Sequence, residues 1–214
     1  MLQGGTSVLM LYLTRHGETE WNIEKRMQGW QDSPLTEKGR EDARRLRKRL
    51  EEVDLTAIYA STSGRALDTA KIIRGERLIP IYQEERLREI HLGDWEGKTH
   101  DEIQRFDPIL FHHFWNEPHL YAPKRGERFS DVQNRAFAAL TDIINEYRSG
   151  NIVIVTHGVV LKTIVTRLKQ APLEELWARP FMHGASLTTV RVKDGRLELL
   201  VEADVSHLEE VKEV

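Results

Sequence analysis

The chain of 214 residues is predicted to adopt an α/β fold, a three-layer αβα sandwich around a mostly parallel sheet with at least one antiparallel strand. Three observations predict it. Short apolar runs of strand length alternate with segments of helical periodicity. The runs at 8–13 and 152–155 are apolar at every position, as in central strands covered on both faces. Two closing runs are joined by Asp194-Gly195, the turn pair of a β-hairpin, which is antiparallel by construction.

Each element has its own signal. Residues 8–13 form the first strand, ended by Thr14-Arg15-His16-Gly17. A helix capped near Thr36 follows, with Ala43, Leu46, Leu50 and Val53 on one stripe and a dense Arg/Lys/Glu surface opposite. Residues 57–60 make a short strand, and Ser61-Thr62-Ser63-Gly64-Arg65 leads into a helix through Ala66, Leu67, Ala70, Ile72 and Ile73. A further short strand is expected at 79–82. The stretch from about 98 to 130 breaks the alternation, being helical, aromatic and rich in histidine, and is expected to be an insertion or lid over one end of the sheet. The strand 152–155 then ends in Thr156-His157-Gly158 before a helix at 159–169. Segments 186–192 and 197–201 form the closing hairpin.

Composition narrows the function. With 40% hydrophobic and 30% charged residues the chain is too apolar for disorder, and one domain over 1–214 is expected. No apolar run reaches the roughly 20 residues that span a bilayer, and residues 1–10 lack the pattern of a signal peptide. The net charge of -3 argues against a dedicated nucleic-acid binder. Cysteine is absent, which excludes disulfides, thiol catalysis, zinc ribbons and iron–sulfur ligation. The expectation is a cytoplasmic protein, monomeric by default, with residues 1–7 as a disordered leader.

Three strands end in a polar cluster followed by a helix start. If those strands are neighbours, Arg15, His16, Arg65 and His157 meet at one edge of the sheet, where ligands of open α/β sheets bind. Helix N-termini there add N–H groups and positive dipole ends. Such a pocket suits a phosphate dianion, whose oxygens match guanidinium forks. Without cysteine or metal, a histidine among arginines is a natural phosphoryl acceptor, because the nearby charge keeps its ring neutral. The leaving alkoxide needs a proton, and Glu89, Asp94 and Glu96 are all candidates within 88–97.

Leu13-Thr14-Arg15-His16-Gly17-Glu18-Thr19-Glu20-Trp21-Asn22 resembles the signature of the histidine phosphatase superfamily, also called phosphoglycerate-mutase-like. Supporting matches follow in order: Asp32-Ser33-Pro34-Leu35-Thr36-Glu37-Lys38-Gly39, the segment 61–66, Glu89 within 88–97, and Thr156-His157-Gly158. Within that family the chain looks most like the broad-specificity phosphatases of bacilli, a likeness that includes Gln28-Gly29-Trp30-Gln31-Asp32 and Asp204-Val205-Ser206-His207. The resemblance implies that His16 is the nucleophile and forms a phosphohistidine. It implies that Arg15, Arg65 and His157 hold the phosphoryl oxygens with Asn22 assisting, and that Glu89 moves the proton. Gln28, Gly29 and Gly158 would border the substrate. No cofactor or metal is implied, and the partner is a small phosphomonoester.

Other readings carry less. Arg15-His16-Gly17 taken alone is also what a strand-end turn with a surface arginine looks like. Gly93-Asp94-Trp95-Glu96-Gly97-Lys98-Thr99 has three residues between its glycines where a P-loop needs four. His91, His100, His112, His113 and His119 form no metal-ligand spacing, and His183 and His207 are expected in packing or at the surface. Phe106, Leu110 and Phe114 fall on one helical stripe and Phe111 and Trp115 on another; one stripe is expected to pack on the domain, and the other, with Tyr121 and Phe129, either packs as well, the reading preferred, or lines a substrate entrance. A phosphoglycerate mutase is the nearest rival, yet Ile90-His91-Leu92-Gly93 stands where the mutase-like pattern is Arg-His-Tyr-Gly. An α-ribazole phosphatase or sugar-bisphosphate phosphatase would use the same machinery, with Gly126-Glu127-Arg128 as a departure from the usual Gly-Glu-Ser. A non-enzymatic phosphate-binding module would be marked by loss of the nucleophile or an arginine, and both are present.

Overall fold

The computed structural model describes residues 8–208, so the expected leader at 1–7 lies outside the described residues. One six-stranded sheet runs in the order β3-β2-β4-β1-β5-β6. Its strands are β1 (Leu9–Arg15), β2 (Ala57–Ala60), β3 (Ile81–Gln83), β4 (Gly150–Thr156), β5 (Leu187–Lys193) and β6 (Arg196–Asp204). The first four pair in parallel, while β5 is antiparallel to both β1 and β6. The predicted mixed sheet and its closing hairpin are therefore present.

Alternation along the strands divides the core into two layers. Leu9, Leu11 and Leu13 of β1 and Ile152 and Ile154 of β4 face one side, where they pack on α6 (Phe129–Glu146) and α7 (Gly158–Leu168). Val153 and Val155, with Ile58 of β2, face the other, against α2 (Glu37–Arg49) and α3 (Gly64–Arg74). Both sides of β4 are buried, which is why its sequence is apolar without alternation.

Register decides where the chemistry falls. Arg15 lies beside Thr156, and Ala60 beside Val155, so β1, β4 and β2 stop at the same level. The next residues, His16, His157 and Ser61, emerge side by side from adjacent strands. The parallel ladder continues briefly past the strands: the His16 N–H donates to Thr156 O and the Ser61 N–H to Val155 O, both at 2.9 Å.

Three elements differ from expectation. The strand expected at 79–82 runs Ile81–Gln83, because Pro80 has no N–H to donate and β3 is an edge strand. The stripe through Phe106, Leu110 and Phe114 is broken, since α4 (His100–Phe106) ends there and Asp107 caps a separate α5 (Pro108–Asn116) with proline in its first turn. Phe106 is consequently 66% exposed while Phe114 is buried. Finally, α6 fills a stretch to which no element is assigned from sequence. Its inward face includes Val132, Ala136, Ala139, Leu140 and Ile143, and the small alanines dilute the apolar signal.

Candidate active site

Above the ends of β1, β2 and β4 lies a cleft of about 660 Å³ lined by Arg15, His16, Asn22, Gln28, Gly29, Arg65, Glu89 and Gly158, among others. Of the nine catalytic and substrate-binding residues expected from the sequence, eight therefore line one cavity. His157 is the exception: it is fully buried beneath, its ring edge-on to His16 with centroids 5.1 Å apart.

The protonation of His16 follows from its partners. Nδ1 sits 2.7 Å from Gly17 O, and a carbonyl can only accept, so Nδ1 carries the ring proton. The Arg65 Nε–H donates to His16 Nε2 across 3.2 Å, which requires a lone pair on that nitrogen. Burial, and then the charges of Arg65 and Arg15, hold the His16 ring well below the ordinary imidazole range. The result is a neutral imidazole with its basic nitrogen fixed in orientation.

Arg65 is immobilised from several sides. Its Nη1 donates to Gln31 O at 2.7 Å and Asp32 Oδ1 at 2.8 Å, and Nη2 to Gly29 O at 2.9 Å. Asp32 also accepts the Arg65 backbone N–H at 3.3 Å, so the same carboxylate caps α3, whose N-cap Ser63 makes no capping bond of its own and points its hydroxyl at His157 Nε2, 3.3 Å away. A Cβ at Gly64 would stand 2.3 Å from Asp32 Oδ2, so a side chain there would push the carboxylate out of its present position. Gly17 is constrained likewise, for its Cβ would meet Gly39 O at 2.4 Å, where the signature loop crosses the start of α2.

Arg15 donates from Nη1 to Met182 O at 3.0 Å, but its buried Nε has no partner. His157 Nε2 lies 2.7 Å from Ser61 Oγ, and its Nδ1 is likewise buried and unpaired. Gln28 donates from Nε2 to Thr19 Oγ1 at 2.8 Å and leaves Oε1 unpaired. Unpaired buried polar atoms are uncommon, each costing about 1–3 kcal/mol unless a ligand satisfies it. Two of these atoms, Arg15 Nε and His157 Nδ1, belong to residues expected from the sequence to hold a phosphoryl group.

Glu89 reaches the cleft from the loop after the short 3₁₀ turn Glu85–Leu87. Its Oε1 accepts the Ile90 N–H at 2.9 Å and Oε2 the Val159 N–H at 3.3 Å, while its carbonyl accepts from Arg135 and the Trp30 indole. Glu96, another candidate, is instead a brace, accepting the N–H groups of Trp30 and Leu92. Asp94 faces Arg125 at the surface. Asn22 points its Oδ1 at the Thr19 N–H in a capping box of α1 (Glu20–Ile23).

The profile of the histidine phosphatase superfamily (branch 1) matches residues 11–205. The chain belongs to the histidine phosphatase superfamily. Among solved structures it is similar to YhfR of Bacillus stearothermophilus, with 66% identity, 94% of this chain and 100% of that one covered, and a TM-score of 0.93. It is 32% identical over 206 residues to phosphoglycerate mutase-like protein 4 of Arabidopsis thaliana, covering 94% of this chain and 87% of the relative. A metal-independent phosphoserine phosphatase of the same plant is also 32% identical, covering 96% of this chain and 86% of its own length.

Within this superfamily fold, several cleft residues escape the sequence reading. Trp21, Trp177, Phe181 and Met182 line the cavity, as does His183, expected only in packing or at the surface. Trp115 also lines it, whereas Tyr121 and Phe129 are core residues, 2% and 1% exposed. Segment 177–183 meets the site only in three dimensions, pinned by Lys162, whose ammonium donates to Ala178 O and to Pro180 O. Among the described residues no group of His, Cys, Asp or Glu is arranged to hold a metal ion, and no helix is long and apolar enough to cross a membrane.

Proposed function

We propose that the protein is a cofactor-independent, broad-specificity phosphomonoester hydrolase working through a phosphohistidine at His16. The observation that carries this is the tautomer of His16, with Nε2 unprotonated and held by Arg65 in a cleft that also presents Arg15. The Nε2 lone pair attacks phosphorus as the ester P–O bond breaks, and the leaving alkoxide takes a proton from the Glu89 carboxyl. Water then gives a proton back to Glu89 and attacks the same phosphorus, breaking the P–N bond and releasing inorganic phosphate. Arg15, Arg65 and His157 hold the three phosphoryl oxygens, with Asn22 assisting. Arg65 Nε–H passes from the ring nitrogen to a phosphoryl oxygen as the ester binds, which frees the Nε2 lone pair for attack. Such charge stabilisation is the main means of accelerating phosphoryl transfer.

Gln28, Gly29 and Gly158 border the phosphoryl end, and beyond it the walls are largely Trp21, Met27, Phe114, Trp115, Trp177 and Phe181. Apolar walls discriminate weakly between leaving groups, which supports a broad preference for aromatic and other small organic phosphates. The insertion that carries Phe114 and Trp115 acts as the lid of a single domain. A monomer in the cytoplasm completes the proposal.

The test is rapid quench with a radiolabelled aryl phosphate. Wild type acquires acid-labile label, while His16→Ala acquires none, loses turnover and keeps its circular dichroism. Near-wild-type turnover in that variant overturns the proposal. With 3-phosphoglycerate, phosphate release outpacing isomerisation separates this enzyme from a mutase.

A further inference from the structure

Arg135, in the first half of α6, spends every N–H of its guanidinium inside the protein. Nε donates to Glu127 Oε1 at 2.7 Å and Nη2 to Glu127 Oε2 at 2.9 Å, a two-pronged ion pair between mostly buried side chains. The other three N–H groups go to main-chain carbonyls. Nη1 donates to Arg86 O at 2.7 Å and to Arg88 O at 2.6 Å, and Nη2 to Glu89 O at 2.9 Å. A guanidinium has five N–H donors, so none is left for a ligand.

Glu127 holds the chain on the far side of Glu89. Its Oε2 also accepts the His91 N–H at 2.8 Å, and its own N–H donates to His91 O at 2.8 Å. The pair therefore grips both flanks of Glu89, at the carbonyls of 86, 88 and 89 and at the amide and carbonyl of 91. Residues 88–92 lie between the 3₁₀ turns Glu85–Leu87 and Gly93–Trp95, in neither helix nor strand, so no ladder orders their backbone. The residue types suit the task. Carbonyls converging from three residues need a planar charged fork, which a lysine ammonium cannot imitate. The carboxylate of Glu127 supplies the counter-charge that a cation at this depth requires.

We infer that Arg135, paired with Glu127, is a positioning residue for Glu89: it fixes the backbone from which the Glu89 carboxyl is presented to the leaving oxygen. This rests on the phosphomonoesterase function proposed above, with Glu89 moving the proton. It gives Gly126-Glu127-Arg128 a part in holding that acid, not in selecting the ester.

The experiment measures wild type, Arg135→Lys, Glu89→Gln and the double variant on glycerol 2-phosphate and p-nitrophenyl phosphate. Arg135→Lys should lower kcat/KM on glycerol 2-phosphate about ten- to a hundredfold, the range for a displaced catalytic group. On p-nitrophenyl phosphate kcat/KM should hold within about twofold, because it reports the first half-reaction and that leaving group hardly needs a proton. There kcat and KM should fall together as dephosphorylation slows. In the Glu89→Gln background Arg135→Lys should add less than about twofold on glycerol 2-phosphate, since the group it positions is already gone. Glu127→Gln keeps an oxygen for the His91 N–H; it should show the same pattern at smaller size, and it decides the matter if Arg135→Lys does not fold. Equal losses on the two esters, no loss on either, or a full further loss in the Glu89→Gln background would show that the pair only supports the fold, and would overturn this inference alone. If wild type hydrolyses neither ester, or Glu89→Gln loses equally on both, the proposed reaction falls and takes the role of Arg135 with it.

Discussion

Ser61 Oγ lies 2.7 Å from His157 Nε2, and the direction of this hydrogen bond goes with which nitrogen of His157 keeps the proton. Burial, followed by the charge of Arg65, holds His157 well below the ordinary imidazole range, so the ring is neutral with one N–H. Ser61 Oγ also accepts the Ser63 backbone N–H at 3.4 Å, and Ser63 Oγ stands 3.3 Å from the same ring nitrogen. With a serine hydroxyl as the donor, Nε2 accepts and the proton rests on Nδ1. That is the buried atom with no protein partner, and as a donor it is suited to a phosphoryl oxygen.

Ser61→Ala should release this constraint without touching the cleft wall. The expected loss in kcat/KM for p-nitrophenyl phosphate is up to about tenfold, the worth of one hydrogen bond. Nitrogen-15 spectra should show the His157 proton moving from Nδ1 towards Nε2. An unchanged tautomer together with unchanged kinetics would show that Ser61 does not set the ring.

Acid should destabilise the protein earlier than its carboxylates alone would. His16 and His157 both have folded pKa values depressed well below the ordinary value, chiefly by burial. In the unfolded chain each ring takes a proton near pH 6.5, while in the folded protein it resists one. Below that pH the unfolded state binds more protons, so stability falls as pH falls and is fully present above it. Each ring contributes at most about 1.4 kcal/mol per pH unit in that window. The urea midpoint should therefore drop between pH 7.5 and 5.5, and His157→Gln should flatten the dependence. A midpoint equally steep in that variant would assign the effect to other groups.

Much of the site was legible because strand ends concentrate it. The apolar runs mark β1 and β4, and parallel neighbours bring Arg15, His16 and His157 to one level without knowledge of any side-chain contact. Arg65 could be placed at the same edge, but not its orientation, which depends on main-chain carbonyls of Gly29 and Gln31 that no residue type encodes. Glu89 has no periodicity around it and is positioned by the N–H of Val159, 70 residues away, so residue pattern alone could not choose it over Glu96. The break between α4 and α5 was readable in Asp107-Pro108, a cap followed by proline, although the aromatic spacing across it suggests one helix. The apolar wall from 177–183 carries no such mark, because its place depends on Lys162 and on packing with α5.

Glu89→Gln isolates the proton-transfer step of the proposed reaction. The amide is nearly isosteric and its carbonyl oxygen can still accept one of the two backbone N–H bonds now made by the carboxylate, so the loop should hold its course. What is lost is a group able to give a proton to the leaving oxygen and later take one from water. An alkyl phosphate leaves as a strongly basic alkoxide and depends on that proton. The p-nitrophenolate ion is stable without one. General acid catalysis contributes typically about 10²–10⁴-fold, so the variant should lose that much on phosphorylated alcohols and far less in the first half-reaction with p-nitrophenyl phosphate. Dephosphorylation would still be slowed, because water must be activated by the same residue. With p-nitrophenyl phosphate the variant should therefore give a burst of nitrophenolate equal to one enzyme equivalent, followed by slow turnover. Equal losses on both substrates, with no burst, would mean that Glu89 holds the cleft together and that the proton comes from elsewhere.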